Sequence, residues 1–165
     1  MSGVLVTGAL LSAGATYAAT FSTPTAGKGD TIATTSANHN LSATGGVETT
    51  IATVNLPPGS FVLHASGDLV NFGPSDFARC QIVVAGTQVA AVSTLVGDPA
   101  GPLLPEAAGL LATFALVGGA VNSTTTTELA ALNCEHDTTN GSVPLVDGGA
   151  SLWAHKTSAL KLATE

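Results

Sequence analysis

Charge is the scarcest property of this 165-residue chain, since Asp, Glu, Lys and Arg together make up only 9% of it. Eleven acidic residues against four basic ones give a formal net charge of −7. The basic residues are scattered along the chain, at Lys28, Arg79, Lys156 and Lys161. A nucleic-acid partner requires a cluster of cations that neutralises phosphates. The sequence therefore predicts that the protein does not bind nucleic acid.

Metal-binding and catalytic motifs are also missing. Zinc sites use Cys and His at short, regular spacings, but the chain has two cysteines, and its histidines stand apart at His39, His64, His136 and His155. No GxSxG, Walker or GxGxxG pattern occurs in a strand-to-helix context. We expect no metal, no cofactor and no enzymatic activity.

Hydrophobic runs are too short to span a membrane, which takes about 20 apolar residues. The first run, residues 1–19, ends in small residues and predicts a signal peptide removed near Ala15 to Ala19. It lacks the usual basic leader, so we expect either an upstream start codon or a weak signal; a buried N-terminal strand or helix is the alternative. The second run, residues 107–121, contains three glycines and predicts a buried strand. No membrane span is expected after processing, and the protein is expected to be secreted.

What the chain has in abundance is Thr, Ser, Ala, Gly and Val, a composition that favours strands. Residues 20–46 are rich in Thr, Ser and Gly and predict a linker, with at most one short strand around 31–35. From residue 47, turn residues separate alternating or apolar segments. The expected strands are Val47–Leu56, Ser60–Asn71, Asp76–Val84, Thr87–Leu95, Gly109–Val121, Thr125–Cys134 and Ala150–Leu162. Residues 47–165 are therefore predicted to form an all-β domain, an antiparallel two-sheet sandwich or jelly roll of about 7–8 strands.

The two cysteines share the phase of apolar residues in their strands. Cys80 is in phase with Ile82, and Cys134 is in phase with Leu132, so both thiols are expected to face the core. In an exported chain, two such cysteines predict one inter-strand disulfide.

Residues 134–137, with the sequence CEHD, are the most reactive stretch by composition. An active site would need an ionised Cys134 beside a base, whereas a disulfide consumes the thiol. Because a turn-like TTNG segment follows, we interpret Glu135, His136 and Asp137 as the solvated end of a strand.

Two further features of the sequence are a polar pair and a single Trp. His64 and Asp68 share one strand face, where an exposed polar pair is the simpler interpretation than a catalytic dyad. Trp153 is the only Trp of the chain and is expected in the core, although an exposed position would suit stacking on a sugar.

The segments TIATVNLPPGSFVLHASGDLVNF, CQIVV, LAALNC and ASLWAHKTSAL resemble a group of small secreted actinobacterial proteins, most of them uncharacterised. The resemblance covers residues 47–162 and departs from that group in having LPPG instead of LPAG and no basic leader. It implies an exported jelly roll similar to tumour-necrosis-factor and complement-head domains, with bonded cysteines and no catalytic residues to transfer. Because such jelly rolls are often trimeric, it also implies a homo-oligomer.

Two function classes follow. The first is a non-enzymatic secreted structural or binding module of the bacterial cell envelope or extracellular space. The alternative is a phage virion surface protein, such as a head-decoration or tail-fibre domain, which would keep residues 1–19 as a structural arm.

Overall fold

The computed structural model describes residues 23–27, 29–97, 110–138 and 143–161; the predicted signal peptide at residues 1–19 lies outside this part. The described residues form ten strands. In chain order they are β1 Asp30–Thr34, β2 His39–Asn40, β3 Thr49–Leu56, β4 Gly59–Asn71, β5 Asp76–Val84, β6 Thr87–Val96, β7 Leu110–Asn122, β8 Glu128–His136, β9 Leu145–Val146 and β10 Ser151–Thr157.

The strands form two antiparallel sheets. In the six-stranded sheet, β4 is central: β7 pairs along one side of it, and β10 and β9 share the other side. The short strands β1 and β2 extend this sheet beyond β10 and β9. The four-stranded sheet has the order β3-β8-β5-β6. The predicted all-β, antiparallel two-sheet architecture is therefore confirmed.

The core lies between the sheets and follows from the alternation within the long strands. In β4, Phe61, Leu63 and Leu69 are fully buried, while alternate side chains such as His64 and Ser66 point outward. The strand begins at Gly59, whose φ of +144° lies in a region that favours glycine, directly after two prolines that cannot donate to a sheet. The proline pair and the glycine therefore fix where the central strand starts.

The segment predicted as a linker contributes to the sandwich. Residues 30–34 form β1, one position earlier than the short strand expected at 31–35, and residues 39–40 form β2. Ala26 and Leu41 are buried in the core. Pairing with distant partners, β10 and β9, orders these polar stretches, and such pairing leaves no periodic signal in the sequence.

The second apolar run forms β7, but the prediction that this strand is buried is correct for one face only. Phe114 and Leu116 face the core, whereas Leu111 and Val117 are 60% and 64% exposed. At Gly118 a Cβ would lie 3.2 Å from the carbonyl oxygen of Val89, so glycine lets β7 approach β6 closely. In the part of the chain that the structure describes, no helix is long and apolar enough to cross a membrane.

The predicted disulfide joins Cys80 of β5 to Cys134 of β8. The two residues are direct cross-strand partners, and both are buried on the core side of the four-stranded sheet. Their Cα atoms are 4.1 Å apart, near the separation typical of a non-hydrogen-bonded pair. The bond therefore links neighbouring strands within one sheet and does not connect the two sheets.

Candidate functional site

The CEHD stretch lies at the end of β8, and the strand continues to His136. Glu135 is half-buried and Asp137 is exposed, but His136 is only 1% exposed. The interpretation of His136 as part of a solvated strand end is therefore wrong. The reason is that β5 pairs with β8 as far as His136, so the alternation that buries Cys134 also turns the imidazole inward.

His136 is held by hydrogen bonds at both ring nitrogens. Its Nδ1 lies 2.8 Å from Oδ2 of Asp76, and its Nε2 lies 2.6 Å from the carbonyl oxygen of Ser42. Because a carbonyl only accepts, Nε2 carries a proton. A bare Nδ1 lone pair would repel the Asp76 carboxylate, so a second proton lies between these two groups.

Asp76 accepts two further hydrogen bonds, both from Thr138. The backbone N–H donates to Oδ2 at 3.2 Å, and the hydroxyl donates to Oδ1 at 2.9 Å. The cluster of Asp76, His136, Thr138 and Ser42 therefore ties the start of β5 to the end of β8 and to the loop before β3.

The cluster around His136 has a structural role rather than that of a catalytic site. A general base must reach a substrate proton, whereas both nitrogens of His136 are occupied within the fold and the ring is buried. The chain has only two cysteines, and they are bonded to each other, so no thiolate is available beside the ring.

His64 and Asp68 share the outward face of β4 but do not act as a pair. The carboxylate of Asp68 accepts a hydrogen bond of 2.7 Å from the hydroxyl of Thr113. The ring of His64 instead lies against Trp153, with 4.8 Å between ring centroids and 33° between planes. The two side chains therefore have separate partners.

The contact between His64 and Trp153 is part of a row that crosses four strands of the six-stranded sheet. Ile32 of β1 pairs with Trp153 of β10, Trp153 pairs with His64 of β4, and His64 pairs with Val117 of β7. We call these four residues the Trp153 row. All of them point away from the core, and the two ends of the row, Ile32 and Val117, are 57% and 64% exposed.

The expectation that Trp153 lies in the core is wrong. Its neighbours Leu152 and Ala154 are fully buried, so alternation turns the indole to the outer face, where it is half-buried between His64 and His155. The indole N–H is buried and has no hydrogen-bond partner among the described residues. A Trp retained to anchor the fold would normally use this donor. Because the N–H is buried, the part of the indole that remains exposed is ring carbon.

A row of hydroxyl-bearing and small side chains lies on one side of the Trp153 row. Cross-strand pairing places Thr34, Ser151, Ser66 and Ala115 side by side. The hydroxyl oxygens of Ser66 and Ser151 are 3.2 Å apart. This hydroxyl row offers donors and acceptors at a surface that carries no charge.

On the other side, the same strands place Asp30, His155, Val62 and Gly119 in one row. The carboxylate of Asp30 contacts Nδ1 of His155, and both side chains are about half exposed. The rings of His155 and Trp153 meet at a steep angle of 60°, with 6.4 Å between centroids. This acidic row supplies exposed polar groups next to the aromatic surface.

A shallow groove of about 270 Å³ lies along the Trp153 row and the hydroxyl row, lined in part by Trp153, His64 and Ser66. None of the described Lys and Arg residues belongs to the three rows. Lys156, for example, donates to the carbonyl of Pro58 instead. The groove is therefore apolar along its centre, with hydroxyl groups on one side, and no Asp, Glu, Lys or Arg among the described residues lines it.

The outer face of the four-stranded sheet carries a network of polar side chains that bond to one another. The carboxylate of Glu48 accepts hydrogen bonds from the side-chain amides of Gln81 and Asn133, and Thr50 donates to Asn133. In the described ranges, no group of three or more His, Cys, Asp or Glu is placed to hold a metal ion.

Sequence reasoning identified His64 and Trp153 but missed Ile32, Val117 and the contact between Asp30 and His155. In β10 the alternation of small apolar and aromatic residues could have indicated that Trp153 and His155 share a face. For Val117 no such signal exists, because the run LLATFALVGGAV is apolar at both alternating positions.

Comparison with protein-family models finds no match to this chain, and comparison with curated proteins finds none either. The resemblance to secreted actinobacterial proteins therefore stays a prediction from sequence motifs. The function has to be inferred from the surfaces of the molecule, and the Trp153 row is the most distinctive of them.

Proposed function

We propose that this protein is a non-enzymatic, secreted structural or binding module of the bacterial cell envelope or extracellular space, and that it binds through the outer face of its six-stranded sheet. The observation that carries the proposal is the Trp153 row. It places an indole, an imidazole and two exposed aliphatic side chains in one line on a face that the sandwich does not cover.

Secretion is supported by the disulfide and by the N-terminal run. Structural disulfides persist mainly in oxidising compartments, and both cysteines of this chain are used in one. Residues 1–19 have the apolar character and small-residue end of a signal peptide.

A binding role without catalysis is supported by the use made of the polar side chains. His136 and Asp76 satisfy each other inside the fold, and His64 contributes a ring to the outer face. A group of exposed apolar side chains on one sheet face is typical of an interaction surface.

Cosedimentation with insoluble bacterial envelope material tests this function. The full chain, secreted by its host, is mixed with the washed material, and the bound fraction is measured after centrifugation. Val117→Asp places a charge in the Trp153 row and should lower the bound fraction several-fold. Leu129→Asp is the matched control, since Leu129 is 47% exposed on the four-stranded sheet.

Both substitutions lie at exposed positions, so neither should unfold the protein. Equal binding of the wild type and Val117→Asp, or an equal loss in the Leu129→Asp control, would contradict binding through this face. The intact mass of natively produced protein tests secretion separately: loss of about the first 15 to 19 residues is expected, and full retention of residues 1–19 would contradict it.

A further inference from the structure

The Trp153 row fits a ligand that has an apolar face and a polar rim. The rings of His64 and Trp153 lie 4.8 Å apart and continue into Ile32 on one side and Val117 on the other. With strands about 4.8 Å apart, the row is about 14 Å long. A pyranose ring presents C–H groups on its flat faces and hydroxyls at its edge, and the C–H groups pack favourably against the electron-rich face of an aromatic ring.

The two flanking rows supply hydrogen-bonding groups for the polar edge of such a ligand. The hydroxyls of Ser66 and Ser151 lie on one side of the aromatic rings, and the contact between Asp30 and His155 lies on the other. Orientation of a ligand in an apolar groove usually depends on a few such polar groups. These polar groups lie beside Trp153 and His64, at the part of the row where a pyranose would pack.

Charge narrows the class of ligand. No described Lys or Arg lies in the three rows, and the acidic side chains of this face, Asp30 and Asp68, add negative potential. The whole chain also carries a formal net charge of −7. Phosphate-bearing and carboxylate-bearing polymers are therefore disfavoured relative to uncharged ones.

The strip formed by the three rows is small for a protein partner. Three rows span about 13 Å along the strands, so the strip that they form covers roughly 180 Å². A stable protein–protein contact buries about 800 Å² per partner. A groove of about 270 Å³ is also close to the lower end of small-ligand sites.

We propose that the occupant of this groove is a neutral polysaccharide, which lies along the Trp153 row with its sugar rings against Trp153 and His64. The inference rests on the proposed function and deepens it by naming the ligand class. The hydroxyl row and the acidic row bond to the sugar hydroxyls on either side.

The fluorescence of Trp153 is the direct measurement, because Trp153 is the only Trp and Tyr17 the only Tyr of the chain. The secreted protein is titrated with neutral glucose and N-acetylglucosamine oligosaccharides of increasing length, and with a carboxylated polysaccharide as the anionic probe. Titration calorimetry on the same samples detects binding that leaves the emission unchanged. Saturable binding that strengthens with chain length until the row is filled is expected for a neutral oligosaccharide, with little or none for the anionic probe.

Variants locate the binding. His64→Ala should weaken the affinity for the neutral oligosaccharide about two- to tenfold, the range expected for loss of one aromatic contact. Val117→Asp should weaken it at least as much. Leu129→Ala, on the opposite sheet, should leave it unchanged. The midpoint of urea unfolding shows whether each variant is folded.

Four results would overturn the inference. The first two are that no neutral oligosaccharide binds, and that the anionic probe binds as tightly or more tightly. The third is that the wild type and His64→Ala have equal affinities. The fourth is that the protein is an oligomer that Val117→Asp converts to monomer, which would assign the groove to a second copy. The protein could also bind envelope material, lose that binding in Val117→Asp, and bind no neutral oligosaccharide. That result would refute the ligand class but not the proposed function.

Discussion

The buried pair of His136 and Asp76 offers a sharp test of the fold, because substitution of one partner leaves the other buried. In His136→Ala, the carbonyl of Ser42 loses its donor, and Asp76 keeps only its two bonds from Thr138. An unsatisfied buried polar group costs about 1 to 3 kcal/mol. His136→Ala breaks the two hydrogen bonds of the buried imidazole, so we expect a loss of about 2 to 5 kcal/mol in total.

Such a loss is a large part of the 5 to 15 kcal/mol by which domains are typically stable. Urea unfolding followed by Trp153 fluorescence measures it, since the single indole lies on the other sheet and does not contact the substituted group. Glu135→Ala is the matched control. Glu135 is the next residue of β8, half-buried, with its carboxylate 4.0 Å from Arg79, and loss of such a surface pair costs about 0 to 1 kcal/mol.

A double-mutant cycle completes the test. If His136 and Asp76 stabilise the fold as a pair, His136→Ala and Asp76→Ala together should cost less than the sum of the single changes, by about 1 kcal/mol or more. A loss below about 1 kcal/mol for His136→Ala, or strict additivity in the cycle, would show that the buried pair does not hold β5 and β8 together in the way described.

Two further predictions concern the sandwich core. Titration of the denatured, non-reduced protein should find no free thiol, and one or more reactive thiols would contradict the bond. Replacement of Cys80 and Cys134 by Ala should lower the free energy of unfolding by at most about 4 kcal/mol, the loop-closure value for a bond across 54 positions. Phe61→Ala and Leu63→Ala should each cost about 2 to 5 kcal/mol in urea unfolding, because both side chains are fully buried, whereas Ser66→Ala on the outer face should cost less than about 0.5 kcal/mol. Similar small losses at all three positions would be inconsistent with the assigned faces of β4.

The long strands and the disulfide could be predicted because their signals are local. The strand expected at Asp76–Val84 has these bounds in the structure, and the phase of Cys80 and Cys134 within their strands is enough to turn both inward. Alternation and turn residues act over a few positions, so one sequence contains them in full.

The burial of His136 could not be predicted in this way. Its two partners, Asp76 and Ser42, are 60 and 94 positions away in the chain. A turn-like composition follows the residue in the sequence, and the long-range pairing of β8 with β5 decides its environment instead. For the same reason β2 and β9, with two residues each, leave no pattern of their own; they exist because they pair with each other and because β9 also pairs with β4.

The Trp153 row depends on register, which sequence patterns do not determine across separate strands. A slip of one residue in β10 would move Trp153 to the core side of the sheet, and the structure places it outside, level with His64. An indole on the core side would bury more apolar area and stabilise the sandwich more. Local departures from the most stable arrangement are expected at functional sites. The outward Trp153, its unpaired N–H and the exposed Val117 are three such departures on one face, and together they point to binding more strongly than the polar CEHD stretch, whose histidine is satisfied inside the fold.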